Sequence, residues 1–131
     1  MNELTITIPW TPPRALSPNA SRKQHWSVKS KAQAQAKKDA KYATKDALAG
    51  RPAPLPSEGP IPYRVIVGWE KGRNSQQDDD NVIASMKWTR DTVCSVLDID
   101  DKRLRLTGVE QVRDLDGIGW TKIILQSVAK A

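Results

Sequence analysis

The stretch that most constrains this chain is "GRPAPLPSEGPIP", residues 50–62, with five prolines in thirteen positions. Each proline removes a backbone donor and fixes φ, so neither a helix nor a central strand runs through it. It reads as a connecting loop inside one domain and not as a domain boundary. At 131 residues the chain is long enough to bury a hydrophobic core.

The segments on either side keep clear periods. "LTITIPW" (4–10) alternates and is β-branched, which predicts a strand. "TPPRALSPNASR" (11–22) is a Pro/Ser/Asn loop. From about Gln24 to Leu48 the chain is rich in Ala, Lys and Gln and free of Pro and Gly, which predicts a helix. Its apolar side is mostly alanine (Ala32, Ala36, Ala40, Ala43, Ala47), suited to close packing. Lys37, Lys41 and Lys45 recur at i, i+4 as one basic stripe.

Beyond the prolines, "YRVIVGWE" (63–70) places Tyr63, Val65, Val67 and Trp69 on one face of a second strand. The loop "KGRNSQQ" leads to three aspartates and a second helix over residues 80–97. Two further strands, "RLRLTGVEQV" and "GWTKIILQSV", flank the turn signal "DLDGIG". The order β, α, β, α, β, β predicts an α/β (α+β) single domain, 1–131, with a mixed sheet of about four strands against two main helices.

No apolar run is long enough to cross a bilayer, no signal-peptide pattern opens the chain, and no membrane partner is expected. Cys94 is the single cysteine, so neither an internal disulfide nor a Cys/His zinc site is expected. These features predict a soluble intracellular protein.

Charge is segregated along the chain. Residues 22–51 carry nine Lys/Arg against two Asp, and residues 78–101 carry seven Asp against Lys87 and Arg90. The formal net charge is +6, and a basic segment of this kind suits a polyanion such as nucleic acid or is simply a solvated helix face. An acidic knot would repel phosphates unless cations lay between them.

On a helical wheel, Val82, Ile83, Met86, Thr89, Val93, Cys94, Val96 and Leu97 share the core side, with Arg90 anomalous beside them. Asp80, Ala84, Lys87 and Asp91 stack opposite. Asp78 and Asp80, two apart in extended chain, point to the same side, leaving Asp79 as a bystander or cap. "DIDD" (98–101) supplies Asp98, Asp100 and Asp101, which approach the first pair if the chain turns back over the polar face. Carboxylates gathered from separate points suit Mg²⁺, which activates water and stabilises a leaving oxygen in phosphodiester cleavage. A lysine beside them stabilises charge on phosphate. Plainer roles compete: aspartates cap helices, Lys87 and Asp91 form an ordinary i, i+4 pair, Cys94 is core, and His25 beside Trp26 is packing. "DIDD" lacks the glycine of a calcium loop.

"DDDNVIASMKWTRD" followed by "DIDD" resembles the signature of the RusA-type Holliday junction resolvases, phage-associated endodeoxyribonucleases, and "SPNASRKQHW" resembles their stretch before the first helix. The likeness runs from the first strand to the final hairpin. It implies Asp78, Asp80 and Asp101 as metal ligands and catalytic carboxylates, with Asp100 as rival to Asp101 and Asp91 in support. It implies Lys87 as the catalytic lysine, one turn later than in the best-known form, where this chain has Ala84. It further implies Mg²⁺, with Mn²⁺ as a substitute, and a homodimer that nicks opposed strands of four-way DNA junctions in recombination and repair. The setting implied is the bacterial cytoplasm, with a phage or prophage gene. Arg22, Lys23, Lys29, Lys37, Lys41, Lys45, Lys71 and Arg73 are the candidate DNA-backbone contacts. The alternative is a basic DNA-binding or phage-associated interaction protein without catalysis.

Overall fold

The computed structural model describes residues 3–12, 16, 26–72 and 79–126. Four strands, β1 (Glu3–Ile8), β2 (Ile61–Trp69), β3 (Leu104–Arg113) and β4 (Trp120–Gln126), form one sheet in the order β1-β4-β2-β3. β4 runs antiparallel to both its neighbours, whereas β2 and β3 are parallel, so the sheet is mixed. Three helices accompany it: α1 (Trp26–Leu48), α2 (Asp79–Ser85) and α3 (Lys87–Leu97). The α+β class and the four-stranded mixed sheet expected from the sequence are both present.

The core lies between one sheet face and the helices. Leu4, Ile6 and Ile8 of β1 align with Leu125, Ile123 and Thr121 of β4, which align in turn with Tyr63, Val65 and Val67 of β2. This face packs with Ala40 and Ala43 of α1, Val82 of α2, Met86 and Val93 of α3. The alanine side of α1 does what its small residues allow: Ala36, Ala40 and Ala43 are buried, and the helix lies against β1 and α3. The buried Thr44 hydroxyl donates to the Ala40 carbonyl at 2.6 Å, so its polar atom is satisfied within the helix.

Two sequence expectations change. Strand β2 begins at Ile61 and so includes Pro62, inside the stretch expected to be loop. The ladder to β4 starts only at Tyr63, so the missing N–H falls at the opening of the strand, where proline is tolerated. The second helix is not continuous either. It breaks at Met86 (φ −102°, ψ 9°), whose N–H reaches only to Ile83, three residues back. Just before the break, Ser85 donates its hydroxyl to the Asn81 carbonyl at 2.7 Å. The helix resumes with Arg90 N–H on the Met86 carbonyl at 2.8 Å.

Because β2 and β3 are parallel neighbours, the chain between them is a crossover. It leaves the C-terminal end of β2, passes through α2 and α3, and returns to the N-terminal end of β3. Asp98 ends α3 in the left-handed conformation (φ 56°), its N–H bonded to Ser95 and that of Ile99 to Cys94. A 3₁₀ turn, Asp101–Arg103, follows. Arg103 then anchors the start of β3 to the proline loop, donating to the carbonyls of Gly59 at 2.8 Å and Pro56 at 2.7 Å.

Candidate functional site

The acidic segment enters the described structure at Asp79 and Asp80, both exposed in the first turn of α2. Asp79 is not a bystander. Its Oδ1 accepts from Gln111 Nε2 at 2.8 Å, and Gln111 Oε1 accepts from the indole of buried Trp69 at 3.1 Å. The start of the crossover is therefore moored to the C-terminal halves of β2 and β3. Asp80 is the next residue and faces solvent. Asp78, Arg22, Lys23, Arg73 and His25 lie outside the described residues.

The downstream carboxylates have separate tasks. Asp100 caps the 3₁₀ turn by accepting from Lys102 N–H at 2.9 Å. That backbone bond, with help from Asp101, Lys102 and Arg103, holds its carboxyl below the usual range. Asp101 beside it is exposed, and its charge reaches back to Arg90 and Cys94 on α3.

Arg90, the misfit of the wheel, has a partner in the core. Burial works against its charge, but a hydrogen bond with Tyr63 and the charges of Tyr63, Asp91 and Asp101 outweigh burial and raise its pKa. Its Nε is buried without a hydrogen bond. The half-buried Arg90 guanidinium thus bonds the Tyr63 side chain of β2 and feels the charges of Asp91 and Asp101. Cys94 is core as expected, its thiol pushed up to about 11 by burial, with Asp101 adding to the effect.

The two carboxylate groups sit at opposite ends of the crossover. Asp79 is tied to Gln111, while Asp101 lies just before Leu104, where Arg103 grips the proline loop. Leu104 and Gln111 pair with Ile61 and Val67, so they are six ladder steps apart, about 20 Å at roughly 3.3 Å per residue. The chain does not turn back over the polar face as the sequence reading expected. It continues through α2 and α3 to the end of the sheet where β3 begins. Among the described residues, no three His, Cys, Asp or Glu stand close enough to hold a metal ion. Within one chain, Asp100 and Asp101 are therefore not brought to Asp80, and the implied Mg²⁺ does not fit the described residues of a single chain.

Two of the basic residues, Lys37 and Lys87, meet on the crossover at Trp88. Lys87 Nζ lies 5.2 Å and Lys37 Nζ 4.7 Å from the centroid of the Trp88 ring. Lys37 belongs to the basic stripe of α1, and Lys29, Lys41 and Lys45 are exposed on the same helix. Lys71 is exposed after β2, with its N–H bonded to the Gly117 carbonyl at 3.1 Å. Sequence reading missed Gln111 and Trp88. Trp88 had a signal, an aromatic directly after the candidate lysine, whereas an isolated glutamine in a strand offers none.

No helix among the described residues is long and apolar enough to cross a membrane. No protein-family model matches the chain. The sequence is 35% identical over 99 residues to an uncharacterized protein of Xylella fastidiosa (strain Temecula1 / ATCC 700964), a match covering 76% of this chain and 61% of that protein. The chain thus spans less than two thirds of the length of the relative it matches.

Proposed function

We propose that this chain is a metal-dependent endodeoxyribonuclease of RusA type, acting as a homodimer on branched DNA such as four-way junctions. The single observation behind this reading is the convergence of Lys37 and Lys87 on Trp88. It draws the basic stripe of α1 against the segment that carries Asp80 and Asp91. A DNA backbone neutralised by the α1 lysines then runs beside exposed Asp80 and half-buried Asp91, a juxtaposition that is useful to a nuclease and costly to a simple DNA clamp. In this reading Mg²⁺, replaceable by Mn²⁺, is the cofactor, Lys87 faces the phosphate, and Asp78, Asp80 and Asp101 would hold the metal only where more than one chain supplies them, since one chain does not gather Asp80 and Asp101.

One finding favours a second reading, a basic DNA-binding protein without catalysis: the carboxylates of one chain do not gather. A synthetic four-way junction separates the two. Under nuclease action the protein nicks the junction with Mg²⁺, and Asp80→Asn binds it equally well but no longer cuts. Tight binding with no cleavage under Mg²⁺ or Mn²⁺ establishes the second reading instead.

A further inference from the structure

The two most exposed large apolar side chains among the described residues stand together in one short loop. Leu115 is 98% and Ile118 77% exposed, on the connection between β3 and β4. Because β3 and β4 are not neighbours in the sheet, this connection passes over the end of β2. Backbone bonds fasten it there: Asp114 N–H donates to the Trp69 carbonyl at 3.0 Å and Lys71 N–H to the Gly117 carbonyl at 3.1 Å.

The loop is also braced from within. The Asp114 carboxylate accepts from the N–H groups of Asp116 at 3.1 Å, Ile118 at 3.1 Å and Gly119 at 2.8 Å. Gly117 N–H closes the turn on the Asp114 carbonyl at 3.0 Å. Gly117 and Gly119 supply the positive φ that the turn requires, 73° and 97°. Held this way, the loop keeps its leucine and isoleucine in water, a cost that burial in a partner removes.

The surroundings point to the partner. Lys71 and Arg113, both exposed, flank the loop, and a cavity of about 490 Å³ opens between its base and Gly72. Gln111, which moors Asp79, is two positions before Arg113, so the loop rises from the end of the sheet where the crossover helices begin. Trp10 donates to Asp39 of α1 at 2.6 Å and Thr11 to Glu70 at 2.7 Å, which fixes the Lys37 turn of α1 at this same end. Phosphates suit Lys71 and Arg113, whereas exposed Asp116 at the tip repels them, so the apolar tip meets bases and not backbone. Apolar side chains between cations are what proteins use to wedge open a base step.

We propose that the 114–119 loop is a wedge: Leu115 and Ile118 enter the base stack at the branch point of DNA, Lys71 and Arg113 hold the flanking phosphates, and the cavity beside Leu115 receives the displaced base. The wedge rests on the nuclease reading for its partner and adds a means of choosing branched DNA. In continuous duplex it must unstack an intact step. At a branch point the stack is already interrupted, so the loop favours branches without reading sequence.

The test uses the full chain and a synthetic four-way junction carrying 2-aminopurine at the branch point, without divalent metal so that the DNA stays whole. Binding of the wild type is expected to raise the 2-aminopurine fluorescence, which stacking quenches. Leu115→Ala with Ile118→Ala should lose that rise and bind the junction about tenfold more weakly or worse, while affinity for linear duplex changes less than about twofold. Both positions are exposed, so the urea midpoint of this variant should match the wild type. Lys71→Gln with Arg113→Gln should weaken junction and duplex alike and reduce the salt slope by about 2. A double alanine variant that keeps the fluorescence rise and the junction-to-duplex affinity ratio overturns the wedge. So does one that binds DNA unchanged while the DNA-free protein sediments as a smaller species, which makes the loop a protein contact. A wild type that unstacks the branch point yet never nicks it once Mg²⁺ or Mn²⁺ is added upholds the wedge and overturns the nuclease reading alone.

Discussion

Gln111 on β3 donates to Asp79 at the start of α2 across 2.8 Å, and the same side chain accepts from the indole of Trp69 at 3.1 Å. One amide thereby ties together two parallel strands and the helix that crosses between them. Gln111→Leu keeps the volume and removes both bonds. The expected loss is about 1–2 kcal/mol, seen as a lower urea midpoint with an unchanged m-value. Amide exchange should accelerate at Asp79 to Val82 more than in α3. An unchanged midpoint would show that the mooring contributes nothing to stability.

Trp120 lies flat over Gly68 on the open face of the sheet. A β-carbon at position 68 would stand 2.3 Å from the indole, closer than any real contact. Gly68→Ala is therefore expected to destabilise by about 1–3 kcal/mol through overpacking. Trp120→Ala should abolish that penalty, so the double variant is more stable than the sum of the two singles predicts. Additive effects in chemical denaturation would contradict the assignment.

The sequence disclosed the elements whose periods are unbroken and concealed what depends on a single local competition. β1 and the alanine face of α1 were legible because alternation and small-residue spacing report burial directly. The break at Met86 was not, because the core residues Val82, Ile83, Met86 and Val93 keep one unbroken helical period across it, so a hydrophobic wheel carries no mark of the local backbone change. That break and the parallel pairing of β2 with β3 decide where the carboxylates go. Asp80 and Asp101 read as neighbours only if the chain doubles back, and a crossover carries them to opposite ends of the sheet instead. Arg90 was legible as an exception but not as a solution, since its partner Tyr63 is 27 positions away on β2.

Cys94 gives the fold a dependence on alkaline pH. Burial lifts its thiol to about 11 from an ordinary value of 9.0. The unfolded chain therefore loses this proton first, and deprotonation draws it away from the native state. The stabilisation is complete below pH 9.0 and is lost as pH rises through about 11. Urea midpoints of the wild type should fall faster over this window than those of Cys94→Ala, and parallel curves would refute the shift. Alkylation of the native protein at pH 8 should be slow and should accelerate on unfolding.

The basic stripe of α1 makes the remaining prediction, which concerns salt and not chemistry. Lys37, Lys41 and Lys45 are exposed along one helix, and Lys37 also touches the Trp88 ring shared with Lys87. If these lysines meet phosphates, each releases counterions, and the slope of log affinity against log salt falls by about 0.9 per lysine replaced. Changing all three to Gln should reduce the slope on duplex arms by roughly 2 to 3, with similar losses for unrelated sequences, because phosphate contacts position without reading bases. Lys37→Gln alone should also quench or shift Trp88 fluorescence on DNA binding differently from Lys45→Gln, since of these two stripe lysines it is Lys37 that lies over that ring. Fluorescence titrations on synthetic junctions at several salt concentrations measure both effects. A triple variant with the wild-type slope would place the DNA elsewhere and detach the basic helix from the acidic segment it packs beside.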